Sequence, residues 1–301
     1  MSLSPQTETT AFDRPAGIRL VGERSGRSGR HDQANRPSVL LAHGFGQTRQ
    51  SWSATQARLA SDGHDTFSWD MRGHGQSSRN ATGHRYDVED FVDDVVAASD
   101  QLAPGAVLIG ASMGGLTGLM AQARHRLFSA LVLVDVTPHW EAAGVQRIQS
   151  FMTAFPEGFD SYEHAASVIA SYLPHRRERK TPAQLSHLLR READGRLRWH
   201  WDPRMLEEFV NHSEHLQDAI AEATRGISVP VLLVSGGRSD LVSERTIRHF
   251  RELVPHARHV QLPEATHMVA GDDNNAFTDA VLDFLSAQFP LTPAKAGAVP
   301  E

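Results

Sequence analysis

Short apolar runs punctuate the chain. They lie at Ser38–Ala42 (SVLLA), Thr66–Trp69 (TFSW), Ala106–Ile109 (AVLI), Ala130–Val136 (ALVLVDV) and Val229–Ser235 (VPVLLVS), with a weaker run at Arg258–Leu262. The runs are β-branched and nearly continuous rather than alternating. That pattern suits strands covered on both faces, as in a parallel sheet. Between them fall stretches with helical spacing: Gln50–Ala60, Val88–Leu102, Gly115–Ala123, Glu244–Leu253 and Asn274–Gln288. Strand and helix alternate, which predicts an α/β fold with crossover connections and a mostly parallel sheet.

One interval breaks the rhythm. From Pro138 to about Ile227 no strong strand appears, while large apolar residues are frequent, among them Trp140, Phe151, Phe155, Phe159, Tyr162, Tyr172, Trp199 and Trp201. The expectation is a mainly helical cap over residues 138–227, inserted into a core formed by residues 13–137 and 228–290. Its aromatics either glue the cap to the core or line a pocket. Residues 1–12 are polar and 291–301 rich in Pro and Ala, and both read as flexible tails. Gly17 to Val21 suits a short strand, and residues 23–36, rich in Gly, Ser and Arg, read as a surface loop.

Composition narrows the function classes. The chain has 301 residues, enough to bury a large core, and a net charge of −6. No basic excess exists to neutralise a nucleic-acid backbone. The absence of cysteine excludes disulfides, thiol nucleophiles and thiolate metal sites. The N-terminus lacks the basic start and apolar run of a secretory signal, and no apolar stretch is long enough to span a bilayer. A soluble, cytoplasmic protein without a membrane partner is expected, as a monomer or a homodimer. No H-E-x-x-H or comparable ligand cluster appears, so neither metal nor organic cofactor is expected.

The chemistry concentrates at Gly110-Ala111-Ser112-Met113-Gly114, a G-x-S-x-G motif between an apolar strand and a helix-forming stretch. Small neighbours allow a strained strand-to-helix turn. That turn lifts the serine hydroxyl above the sheet edge, at a helix N-terminus that favours a developing oxyanion.

With this motif the chain, from about Ser38 to Leu285, resembles the α/β-hydrolase-fold enzymes, as a serine esterase-like member with a helical cap. Further motifs agree in order. His43-Gly44-Phe45-Gly46 resembles the H-G-x-G oxyanion loop, and Asp70-Met71-Arg72-Gly73-His74-Gly75-Gln76-Ser77 resembles the D-x-R-G-x-G-x-S loop. Gly236-Gly237-Arg238-Ser239-Asp240 resembles the loop carrying the acid, and Ala265-Thr266-His267 the turn bearing the base. The resemblance implies Ser112 as nucleophile, His267 as base and Asp240 as the carboxylate that orients it. Asp135, at the end of the preceding strand, is the rival acid. The oxyanion hole falls to the backbone N–H groups of Phe45 and Met113. His43 is expected to orient the oxyanion loop, and His43, Phe45, Trp140 and Phe151 are candidate pocket residues.

The expected reaction is two-step hydrolysis of a small or medium, partly apolar carboxylic ester through an acyl-enzyme. A lactonase, thioesterase, amidase or carbon–carbon-bond hydrolase would use the same three residues. A non-catalytic ligand-binding member of the fold is the alternative outside enzymology.

Overall fold

The computed structural model describes residues 6–26, 36–172, 180–206, 213–272 and 274–291. Eight strands form one sheet in the order β1-β2-β4-β3-β5-β6-β9-β10. They are β1 (Gln6–Arg14), β2 (Ile18–Gly26), β3 (Val39–Ala42), β4 (Thr66–Asp70), β5 (Val107–Ala111), β6 (Ala130–Val134), β9 (Val231–Gly236) and β10 (Arg258–Leu262). The pairs from β4 to β10 are parallel, while β1 with β2 and β2 with β4 are antiparallel.

The continuous apolar runs have a simple cause. Successive side chains of a strand point to opposite faces, and here both faces are covered. Leu40, Leu108, Leu131, Leu133 and Leu233 face helices Val88–Ser99, Met113–His125 and Glu244–Leu253. Val39, Leu41, Ile109, Val132 and Val234 face helices Ser53–Ser61 and Asn274–Gln288. Helix Glu244–Leu253 opens with a reciprocal cap: Ser243 accepts from the Thr246 N–H, and Thr246 accepts from the Ser243 N–H.

Two expectations at the N-terminus are corrected. Residues 6–12, read as a flexible tail, belong to β1, and residues 23–26, read as loop, complete β2. β1 has no apolar alternation to read, and none of the side chains of residues 7–14 is buried. In β2 the core face passes through Gly22, where an added Cβ would meet Cε2 of the Phe67 ring at 2.6 Å. Residues 27–35 and 292–301 lie outside the described residues.

Between β6 and β9 the chain leaves the sheet and builds a cap. It holds helices Ala142–Thr153, Tyr162–Tyr172, Pro182–Leu185 and Ser213–Thr224, and also a two-stranded hairpin, β7 (Leu189–Arg191) with β8 (Leu197–Trp199). The cap has its own small core of Phe159, Ala165, Ile169, Leu185, Leu189 and Leu197. Beyond the hairpin it docks on the core: the Asp202 N–H donates to the Gly73 carbonyl at 2.9 Å, and the Tyr86 hydroxyl donates to the Asp202 carboxylate at 2.8 Å. No helix among the described residues is long and apolar enough to cross a membrane.

Candidate active site

Ser112 stands between β5 and helix Met113–His125 with φ 47° and ψ −118°. A non-glycine residue with positive φ is costly and is held only by its surroundings. Here the Ser112 N–H donates to the Val134 carbonyl, and its own carbonyl accepts from Gly115 and Leu116. Glycines allow the crossing: a Cβ on Gly110 would sit 2.6 Å from the Gly114 carbonyl oxygen, and one on Gly114 would press on the Ala42 carbonyl. The sharp turn expected of the motif is therefore present, and Met113 opens the helix, so its N–H is among those without an intrahelical acceptor.

Asp135 follows β6 directly, also with positive φ (48°), and its side chain is wholly buried. Its carboxylate accepts from the Gly236 N–H at 2.8 Å, the Ser239 hydroxyl at 2.5 Å and His267 Nδ1–H at 2.7 Å. Burying a carboxylate is tolerable only when its lone pairs are filled this way. With Nδ1 donating, Nε2 is left as the basic nitrogen of His267. The imidazole is delivered by two loops that zip together: Gly237 N–H donates to the Leu262 carbonyl and Arg238 N–H to the Ala265 carbonyl. The closeness demands glycine, since a Cβ on Gly236 would meet the Ala265 oxygen at 2.5 Å.

The expectation that Asp240 pairs with His267 is corrected. Asp240 turns to the cap, where Arg147 donates to it at 3.1 Å. The reason lies one residue earlier. The Ser239 hydroxyl donates to Asp135 and accepts the N–H groups of Leu241 and Val242 at 3.2 and 3.1 Å. That compact turn directs the loop's hydroxyl to Asp135 and its carboxylate to Arg147.

Upstream, three histidines brace the loop Gly44–Gly46. His43 donates from Nδ1 to the Gly44 carbonyl (2.8 Å) and accepts the Met71 N–H on Nε2 (3.0 Å). His74 donates from Nδ1 to the Arg72 carbonyl and accepts the Gly46 N–H on Nε2 at 3.1 Å. His200, from the cap, accepts the Gly75 N–H on Nδ1 at 2.8 Å and donates from Nε2 to the Gly46 carbonyl at 3.3 Å. All three must be neutral to do this, and burial lowers each pKa: His43 below its ordinary value, His74 well below it, and His200 to about 4. His43 is thus buried beneath the loop and is not a pocket residue as expected. His200 carries no sequence motif, and only the packed cap reveals its position. Asp70 is structural: it is buried and accepts the N–H groups of Arg49 and Gln76 at 2.8 and 2.9 Å.

Two cavities meet at Ser112, with Phe45 and Ile148 in the walls of both. The larger, about 430 Å³, also has His267, Phe151 and Trp199 in its wall, and Phe151 stacks on Tyr172 with centroids 4.0 Å apart. The smaller, about 130 Å³, has Met113 and Trp140 in its wall. Phe45, Trp140 and Phe151 are therefore pocket-lining residues. No group of three or more metal-ligating side chains occurs among the described residues.

Known proteins are similar to this chain in sequence and fold. An esterase of Mycobacterium tuberculosis is 28% identical over 260 residues, which is 84% of each chain. The 2-(acetamidomethylene)succinate hydrolase of Mesorhizobium japonicum is 26% identical over 262 residues, covering 85% of this chain and 90% of the relative. A crystal structure of E-2-(acetamidomethylene)succinate hydrolase superposes with a TM-score of 0.78 at 24% identity, over 93% of this chain and 100% of that one. The model of the alpha/beta hydrolase fold family matches residues 37–273. With most of its length matched and the elbow and crossing loops in place, the chain belongs to the α/β-hydrolase fold family.

Proposed function

We propose that the protein is a serine hydrolase that cleaves a small or medium, partly apolar carboxylic ester. Ser112 is its nucleophile, His267 its base and Asp135 the orienting acid. The carrying observation is the buried Asp135–His267 pair at 2.7 Å, with His267 and the elbow serine in the wall of one cavity. Named relatives that include an esterase support the ester class.

His267 Nε2 takes the proton of Ser112 as its oxygen attacks the ester carbonyl. Asp135 holds the tautomer and stabilises the imidazolium. The carbonyl oxygen gains charge against the Phe45 and Met113 N–H groups, at the positive end of helix Met113–His125. The carbon–oxygen bond to the alcohol breaks, and the alcohol departs with the proton from His267. Water then gives its proton to His267 and attacks the acyl carbon. Collapse returns the proton to Ser112 and frees the acid. A lactone or an amide would be opened by the same sequence, and a panel of p-nitrophenyl esters, lactones and amides ranks the three.

Ser112→Ala is expected to abolish labelling by a fluorophosphonate probe and to lower ester hydrolysis by about 10³-fold or more, leaving the fold intact by circular dichroism. Hydrolysis retained at the wild-type rate would refute the assignment.

A further inference from the structure

The two cavities at Ser112 differ in chemistry. Apart from Ser112, Phe45 and Ile148, their walls are separate. The smaller is lined by apolar side chains such as Leu116, Val136, Trp140, Val145 and Leu241. Its charged group, Asp135, is already occupied by His267, Gly236 and Ser239. The larger carries three cations, Arg147, Lys180 and Arg238, against one carboxylate, Asp240. Arg147 is held in place: it donates to Asp240 at 3.1 Å and to the Tyr172 carbonyl at 3.0 Å, and it lies 5.1 Å from the Tyr172 ring centroid. Arg238 also pairs with Glu264, which stands outside the cavity wall. Both pairs are partly exposed to water, so each contributes little net energy and an incoming anion can compete for the guanidinium.

Proton delivery assigns the two halves of a substrate. The leaving oxygen has to lie within hydrogen-bond reach of His267, and His267 lines the larger cavity only. Met113, whose N–H meets the carbonyl oxygen in the proposed mechanism, lines the smaller one. The acyl chain is the remaining substituent and falls on the Met113 side. We propose that the substrate joins a short apolar acyl group, seated in the smaller cavity, to an alcohol carrying an anionic group, which Arg147 and Arg238 meet in the larger. This rests on the serine-hydrolase reading above. The attraction between these guanidinium groups and an anionic alcohol is weakened by salt.

The probes are butyrate esters of (4-hydroxyphenyl)acetate and of its neutral amide, (4-hydroxyphenyl)acetamide. A methylene insulates the charge, so the two phenols leave with similar ease. Wild-type enzyme is expected to show kcat/KM about tenfold or more higher for the anionic ester, mainly through KM, and to lose that preference as salt is raised. In Arg147→Met/Arg238→Met the ratio falls toward one. With the acyl chain lengthened from acetyl to decanoyl on the same alcohol, activity peaks at a short chain, and Val145→Trp moves the peak shorter. Equal or better hydrolysis of the neutral ester, or an acyl optimum unmoved by Val145→Trp, overturns the proposal. The salt series needs no variant, so a misfolded mutant does not protect the idea. Fluorophosphonate labelling in parallel separates the two levels: lack of labelling at Ser112 defeats the hydrolase reading itself, whereas labelling without charge preference defeats only this assignment of the cavities.

Discussion

At the scale of single residues, the decisive contrast is between two aspartates. Asp135 is buried with three donors on its carboxylate, whereas Asp240 faces Arg147. Asp135→Asn is expected to lower kcat by about 10³–10⁴-fold, because an amide stabilises neither the tautomer nor the imidazolium. Asp240→Asn instead acts on KM: it removes a carboxylate that competes for Arg147 and so tightens binding of an anionic ester. Steady-state kinetics on both variants separates the roles, and a kcat collapse in Asp240→Asn would reverse them. The serine was readable because its glycines are imposed by contact distances that no other residue satisfies. The acid was not, because two adjacent strands each end near an aspartate. The choice rests on how Ser239 folds its own loop, a contact between positions 104 apart in the chain. His267 stood in the order expected, since its place follows from the strand before it.

At the scale of elements, the apolar strands were legible wherever both faces are buried. Of β2 only the first half was legible, as the strand expected at Gly17 to Val21, and β1 was not, because an edge strand with no buried side chain among residues 7–14 and a glycine at position 22 remove the alternation that marks a strand. The β7–β8 hairpin was hidden for another reason: its strands are three residues each, too short for a period to emerge. That hairpin matters because it leads directly into His200. The ring bonds a core loop on either side, through Gly75 and Gly46. His200→Ala removes the partner of that part-buried N–H and carbonyl, at a cost of about 1 kcal/mol for each lost hydrogen bond. The thermal midpoint should fall. In the proposed mechanism the loop carries an oxyanion donor engaged most strongly in the transition state, so kcat should fall more than KM rises. A variant with a lower midpoint and unchanged kcat would reduce His200 to a structural strut.

At the scale of the whole molecule, the histidines make stability depend on pH. Burial lowers the pKa of His43, His74 and His200, and also of His64 and His259, relative to the ordinary 6.5. The unfolded chain therefore binds more protons than the native one below about 6.5. The stabilisation is complete above that value and is lost as pH falls, with His200 losing its share down to about 4. Each histidine fully within its window contributes a slope of about 1.4 kcal/mol per pH unit. Urea midpoints measured at pH 7.5, 6.5 and 5.5 should drop in that order, before most carboxylates titrate. A flat profile would mean that these rings are not held neutral.

The cap leaves the sheet just beyond Asp135 and returns through β9, whose loop places Gly236 and Ser239 on the same carboxylate. Departure and return are thus stitched together at one buried atom group, like the base of a lasso. A segment closed off in this way is exchangeable. A different cap spliced between these two points would change the cavity walls above Ser112, while the Asp135–His267 pair beneath keeps its hydrogen bonds. The graft inherits obligations where the present cap grips the core: His200 on Gly46 and Gly75, and Asp202 on Gly73 and Tyr86. A graft that offers Gly46 and Gly75 no neutral hydrogen-bonding side chain would loosen the core loops beneath it, whatever pocket it brings.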